Sequence, residues 1–299
     1  MASRVRPPLG DRFLHAAIGL ILLGICAAVL VPLLNLLALS LSDTRRVSEL
    51  SGLDILPKGL SLIVYKVLAA NQYFIRSILN SVFITAVGTA LNLGITSMAA
   101  YALTRPTLPG RRFFMLLVIV IMVFEPGIVP EYLVMKRVGL LGSLWILILY
   151  KTVNVYYLII LMRFFEDVPL SLIDAARVDG AGHWMIFRRV MLPLSKSAIA
   201  TLGLFYGVMH WNEYFRASIY ITEPSKYPLQ VILRQFVVLD DTSALIGAGT
   251  LYSYDEAARL SYAALRAGTI IVAIIPVLML YPLILKYYTR GVMEGGLKE

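Results

Sequence analysis

Six apolar runs set the rhythm of this chain, at about 14–41, 77–103, 112–134, 143–164, 195–221 and 263–287, with polar segments between them. A helix needs roughly 20 apolar residues to cross a hydrocarbon core, and every run reaches that length. The pattern predicts an all-α integral membrane protein with six transmembrane helices. The first run far exceeds the roughly 7–15-residue core of a cleaved signal, so it is expected to remain as span one. Residues 42–75 form a long connection punctuated by Pro57-Lys58-Gly59. Three regions follow: 1–74, a helix and an external loop; 75–288, a helical core; and 289–299, a tail. The short connections leave no room for a soluble catalytic domain.

Within the runs, small and polar residues single out positions. Span two carries Gly88 and Gly94 among Ala and Ser residues, which let membrane helices approach closely. Span three is interrupted by Glu125-Pro126-Gly127 and Pro130. Proline removes a backbone donor and kinks a helix, and irregular backbone at membrane depth needs protein or water beside it. Glu125 is either an interfacial acid of this kink or an acceptor in a path. Lys151 and Asn154 interrupt span four beside Tyr156 and Tyr157. Two readings of Lys151 stand: it snorkels to the headgroups, or it faces a cavity and attracts an anionic substrate. Asn35, Asn80 and Asn92 read as hydrogen bonds to neighbouring helices. Trp211 and Tyr214 are either interfacial aromatics or a stacking surface for sugar rings, with Asn212 between them. His210 reads as a packed or hydrogen-bonded residue.

Composition agrees with the pattern. The chain is 59% hydrophobic and 15% charged, with a mean hydropathy of +0.78. Soluble domains carry about 25% charged residues. A net charge of +9 raises nucleic acid as a partner, but no long basic run supports it. Cys26 is the single cysteine, so no internal disulfide or metal cluster is implied. No set of metal-ligand spacing appears in the spans, which argues against a membrane-embedded enzyme. A secondary transporter often shows two related halves with paired broken helices; one break, in span three, is evident here. Basic residues near span ends orient the chain. Arg105, Arg111 and Arg112, then Arg4, Arg6 and Arg12, then Arg188, Arg189 and Lys196 place both termini and the 166–194 loop on the cytoplasmic side.

That loop holds the most specific pattern: Asp174-Ala175-Ala176-Arg177-Val178-Asp179-Gly180, nine residues, then Val190-Met191-Leu192-Pro193. Ser171 and Asp174 fit a capping box at a helix start, and Gly180 fits a helix stop. The spacing therefore predicts a short helix over 171–179 and a second over about 182–191, ended by Pro193. Glu256-Ala257-Ala258 repeats the triplet by chance, without the following glycine or Leu-Pro.

The loop resembles the EAA loop of ABC-importer permeases, E-A-A, three residues, Gly, nine residues, I-x-L-P. Asp174 and Val190 are the two departures. Trp211-Asn212-Glu213-Tyr214-Phe215 resembles a segment of carbohydrate-uptake permeases, and Gly291–Glu299 resembles their Gly-rich tail. Tyr227-Pro228-Leu229-Gln230-Val231-Ile232-Leu233-Arg234 is similar to the oligosaccharide and lipoprotein-linked polysaccharide subgroup, within which the chain resembles the alginate-importer permease pair. The resemblance covers roughly 75–299.

The resemblance implies a type I importer (MetI-like) fold in a bacterial inner membrane and oligosaccharide import by alternating access. It also implies four kinds of partner: a second permease subunit, two ATPase subunits, a periplasmic or extracellular solute-binding protein, and membrane lipid. Asp174, Ala175, Ala176, Asp179, Gly180, Leu192 and Pro193, with Gly295 and Gly296 of the tail, would dock the ATPase. Lys151, Asn154, Tyr157, Glu125, Trp211, Asn212 and Tyr214 are the candidates for the substrate path. No G-x-x-x-x-G-K-[ST] pattern occurs in the chain, so ATP and Mg are expected on the partner ATPases, with no cofactor and no catalytic site in this chain. Another solute on the same fold is the alternative.

Overall fold

A computed structural model of the chain describes residues 9–124, 126–239 and 261–295. All secondary structure among them is helical apart from one bridge between Ser42 and Leu60. Two compact units arise.

The first unit holds α1 (Leu9–Leu41), α2 (Ile63–Ala70) and the opening turns of α14 (Tyr262–Gly295). Apolar side chains such as Phe13, Leu20 and Leu23 are exposed along α1. A helix that is apolar all round suits lipid rather than water. The connection after α1 is folded: the Asn35 amide donates to the Ser51 and Asp54 carbonyls at 2.8 and 2.7 Å. Asn35 thus bonds this connection, not the neighbouring helix expected from sequence. Gly268 lets α14 meet α2, since a Cβ there would lie 2.4 Å from Val64 Cγ1.

The second unit is built around α3 (Gln72–Thr104). Its buried face runs Ser77, Ser81, Ile84, Gly88, Asn92, Thr96 and Ala100, a three-to-four-residue spacing of mostly small groups. Against it pack α7 (Val155–Glu166) and α11 (Lys196–Trp211). At Gly88 the approach is close: a Cβ would meet the His210 ring at 2.6 Å. The packing role expected of span two therefore holds. The Asn80 amide reaches the Ser225 carbonyl, in the short 3-10 helix Pro224–Lys226, and the Tyr227 carbonyl just after it.

The remaining spans are not single rods. Span three comprises α4 (Arg111–Val123) and α5 (Ile128–Val138), with Gly127 at φ +78° in the break. Glu125 lies outside the described residues. Span four comprises α6 (Trp145–Leu149) and α7, and span five stops at Trp211 before α12 (Phe215–Tyr220). Among the described residues, three helical segments are individually long and apolar enough to cross a membrane: Phe13–Leu41, Gln72–Thr104 and Tyr262–Met279. The segment His183–Leu194 meets α11 at a bend of 83°.

Candidate functional site

The 166–194 loop is two short helices whose turn follows from its sequence. Helix α8 (Leu170–Val178) ends where Gly180 takes φ +81°. The Gly180 amide donates to the Arg177 carbonyl and the Ala181 amide to the Ala176 carbonyl, both at 2.9 Å. This pair is the Schellman ending, and it favours glycine at the left-handed position. The capping box is not formed. Pro169 precedes the helix without a side-chain cap, Ser171 lies inside it, and Asp174 pairs with Arg177 at 3.3 Å. An isoleucine, Ile173, turns into the core while Asp174, Ala175 and Asp179 face outward.

The second arm starts at α9 (His183–Ile186), continues as a wide turn over Phe187–Met191 and finishes in α10 (Leu192–Leu194). The helical path thus runs through Pro193, and the chain bends after it, at Ser195. Ile186, Phe187 and Met191 are buried with Leu158, Leu161, Phe165 and Leu202; Leu192 is half-buried against them and Pro193 is exposed. A further tie reaches α3. Tyr101 Oη lies 3.2 Å from His183 Nδ1, and its ring packs 5.4 Å from Phe187. The loop is therefore anchored to α3, α7 and α11. Its outward surface is apolar for an exposed loop: Val178 is 87% exposed, Leu170 71% and Trp184 63%. Exposed apolar patches of this kind are features of interaction surfaces.

The other feature is the break between α6 and α7. Lys151 and Asn154 stand in it, and Asn154 Oδ1 caps α7 by accepting from the Tyr156 and Tyr157 amides. Its free backbone groups find side chains. The Asn154 amide donates to Tyr206 Oη at 3.0 Å, which pairs with Thr96 Oγ1 at 2.7 Å. The Lys151 carbonyl accepts from Asn92 Nδ2 at 3.4 Å, and that amide also lies 2.9 Å from His210 Nε2. Polar groups freed from a helix at membrane depth need such partners.

Depth follows from Asn92. It lies twenty residues beyond Gln72 and twelve short of Thr104 in α3, about 30 Å and about 18 Å along a helix. The Lys151 backbone therefore sits deep along α3, well away from either end. Tyr157 packs edge-on against Tyr206, with ring centroids 4.9 Å apart.

Residues 83–292 match the family described as binding-protein-dependent transport system inner membrane component. The chain belongs to that family. Similar relatives of this transport component include the polygalacturonan/rhamnogalacturonan transport system permease protein YtcP of Bacillus subtilis, 37% identical over 90% of this chain and 92% of that protein. Protein LplC of the same organism is 38% identical over 92% of this chain and 91% of its own length. A solved bacterial ABC transporter involved in the import of the acidic polysaccharide alginate contains a chain of the same fold. The TM-score is 0.86 at 28% identity, over 95% of this chain and 99% of that one. The MetI-like permease fold expected from the EAA loop is thus the fold of this protein.

Other candidate residues of this transport component separate. Trp211 is 5% exposed, and its indole N–H donates to the Ala273 carbonyl at 3.2 Å. It is a packing residue in this structure and presents no open ring face to a sugar. Asn212 and Tyr214 are exposed just beyond α11, with the Arg234 guanidinium 5.0 Å from the Tyr214 ring. Gly295 ends α14, and Gly296 lies outside the described residues.

Sequence reasoning missed a charged cluster formed by Glu131, Tyr150, Glu213, Arg216 and Tyr220. Arg216 Nε meets Glu131 Oε1 at 2.9 Å, and Tyr150 Oη donates to Glu213 Oε2 at 2.7 Å. Only the three-residue spacing of Glu213 and Arg216 hinted at it; Glu131 is 85 positions from Arg216.

Proposed function

We propose that this chain is the permease subunit of an ATP-driven importer for acidic oligosaccharides, with Lys151 on the substrate path. The observation that carries this reading is the place of Lys151: a cation in a helix break beside the middle of α3. A substrate bearing carboxylates needs cations where it crosses the low-dielectric interior. Similarity supports the same class, since polygalacturonan and alginate, named for two similar proteins, both carry carboxylates.

The mechanism uses the anchored loop. Two ATPase subunits, holding ATP and Mg, dock on the loops of this chain and of a second permease subunit. When they close, the patch around Ala175, Val178 and Trp184 moves, and α3, α7 and α11 move with it because Tyr101, Ile173, Phe187 and Met191 tie them together. The central cavity then opens toward a solute-binding protein on the outer face, with both termini of this chain in the cytoplasm. This chain transmits force and performs no catalysis. The test is ATP-dependent uptake by the purified complex in proteoliposomes, supplied with its solute-binding protein and with acidic or neutral oligosaccharides of matched length. Preference for the acidic series supports the proposal; equal or neutral-selective uptake overturns its substrate class.

A further inference from the structure

The cluster around Arg216 is a closed set of contacts. Arg216 grips Glu131 with two nitrogens, Nε on Oε1 at 2.9 Å and Nη2 on Oε2 at 3.3 Å. Tyr220 Oη donates to Glu131 Oε1 at 2.6 Å. Glu213 Oε1 accepts the Arg216 amide at 3.0 Å, and its Oε2 lies 3.7 Å from Arg216 Nη1. The guanidinium also covers the Tyr150 ring at 4.5 Å. Two-point carboxylate pairing of this kind is geometrically exacting, and Glu213, Glu131 and Arg216 side chains are only 10%, 18% and 23% exposed.

The cluster ends where the helix break begins. Tyr150 immediately precedes Lys151, and its hydroxyl rests on Glu213 Oε2 at 2.7 Å. Residues 150–154 have no helix to hold them. Side chains from elsewhere in the fold help to hold them, among them three hydrogen-bond partners: Glu213 at Tyr150, Asn92 at the Lys151 carbonyl, and Tyr206 at the Asn154 amide. Among these three hydrogen bonds, the Glu213 one is made by a charged group, and hydrogen bonds to charged groups are the stronger class.

We infer that Glu213 is a positioning residue for the substrate path: through Tyr150 it fixes where Lys151 presents its charge, and so sets affinity for acidic oligosaccharide. The inference rests on the proposed role of Lys151 for its substrate consequence, though not for its geometry. Tyr150→Phe deletes the contact with almost no change of volume or charge. A loosened Lys151 should raise the KM for acidic oligosaccharide about tenfold, and more than it lowers the maximal rate. Glu213→Gln keeps an acceptor but removes its charge and its pairing with Arg216, so it should also raise the KM. The two changes meet at one hydrogen bond, so their effects on KM should be less than additive in the double variant.

A second readout is independent of transport. In a Cys26→Ala background, Lys151→Cys gives a single thiol, and its modification rate by a small cationic reagent reports the position of the break. Adding Tyr150→Phe should change that rate at least threefold. A changed rate with unchanged acidic uptake keeps Glu213 as the positioning group and removes Lys151 from the substrate path. An unchanged rate and unchanged KM in an assembled complex overturn the inference. Should Glu213→Gln fail to assemble, Tyr150→Phe alone decides.

Discussion

The amide of Ala181 donates to the carbonyl of Ala176 at 2.9 Å, closing the helix that faces the ATPase side of the proposed complex. This bond requires Gly180 at φ +81°. A Cβ on Gly180 would meet nothing within 4 Å in this chain, so the constraint is backbone conformation and not space. Left-handed backbone costs a residue with a Cβ about 1–2 kcal/mol, and asparagine tolerates it best. Gly180→Val should therefore weaken ATPase recruitment and coupled transport strongly, and Gly180→Asn only slightly. Co-purification of the ATPase with each variant checks this. Equal loss in both would assign the effect to contact with the partner and not to backbone conformation.

Gly88 makes the opposite case, where space decides. Its added Cβ would lie 2.6 Å from His210 Nε2, while the same change at Gly94 meets nothing within 4 Å. His210 cannot retreat freely, because the same nitrogen is held by Asn92. Gly88→Ala should destabilise the protein by about 1–3 kcal/mol, whereas Gly94→Ala should be neutral or slightly stabilising. Thermal unfolding in detergent separates the two; similar midpoints for both variants would show that α3 and α11 are not packed as described.

Tyr206 carries the backbone of the break. Tyr206→Phe leaves the Asn154 amide and Thr96 Oγ1 without the hydroxyl that now serves both. An unsatisfied buried group costs about 1–3 kcal/mol, so the variant should lose heat stability by that order. Tyr157 contacts Tyr206 and Phe205 through its ring, so Tyr157→Phe should change stability little. A reversed order would mean that the break is held by other contacts.

These cases show what could be read in advance. The Ala176-to-Gly180 spacing is local, and a helix ending depends on neighbours within one turn, so the loop was legible down to its turn residue. The capping box was not formed because the helix starts at Leu170, with Pro169 at the cap position, which leaves Ser171 inside the helix and not at its cap. The small-residue face of α3 was legible from its spacing. The helix breaks were legible only as odd residues, Lys151 and Asn154, in apolar runs. What holds them was not: Asn92, Tyr206 and Glu213 lie 59, 52 and 63 positions from their partners. Trp211 misled because an aromatic near a span end serves packing, interface and sugar equally well, and only burial separates the three.

The central claim is that Lys151 faces an acidic substrate along its path. Lys151→Met keeps length and apolar bulk and removes the charge. The decisive measurement is ATP-driven uptake by wild-type and Lys151→Met complexes in proteoliposomes, for acidic and neutral oligosaccharides of equal length, with assembly verified by size. The account predicts that uptake of the acidic substrate falls at least tenfold, about 1.4 kcal/mol, while the assembled fraction is unchanged and neutral uptake falls far less. Equal acidic uptake by the two complexes would contradict it.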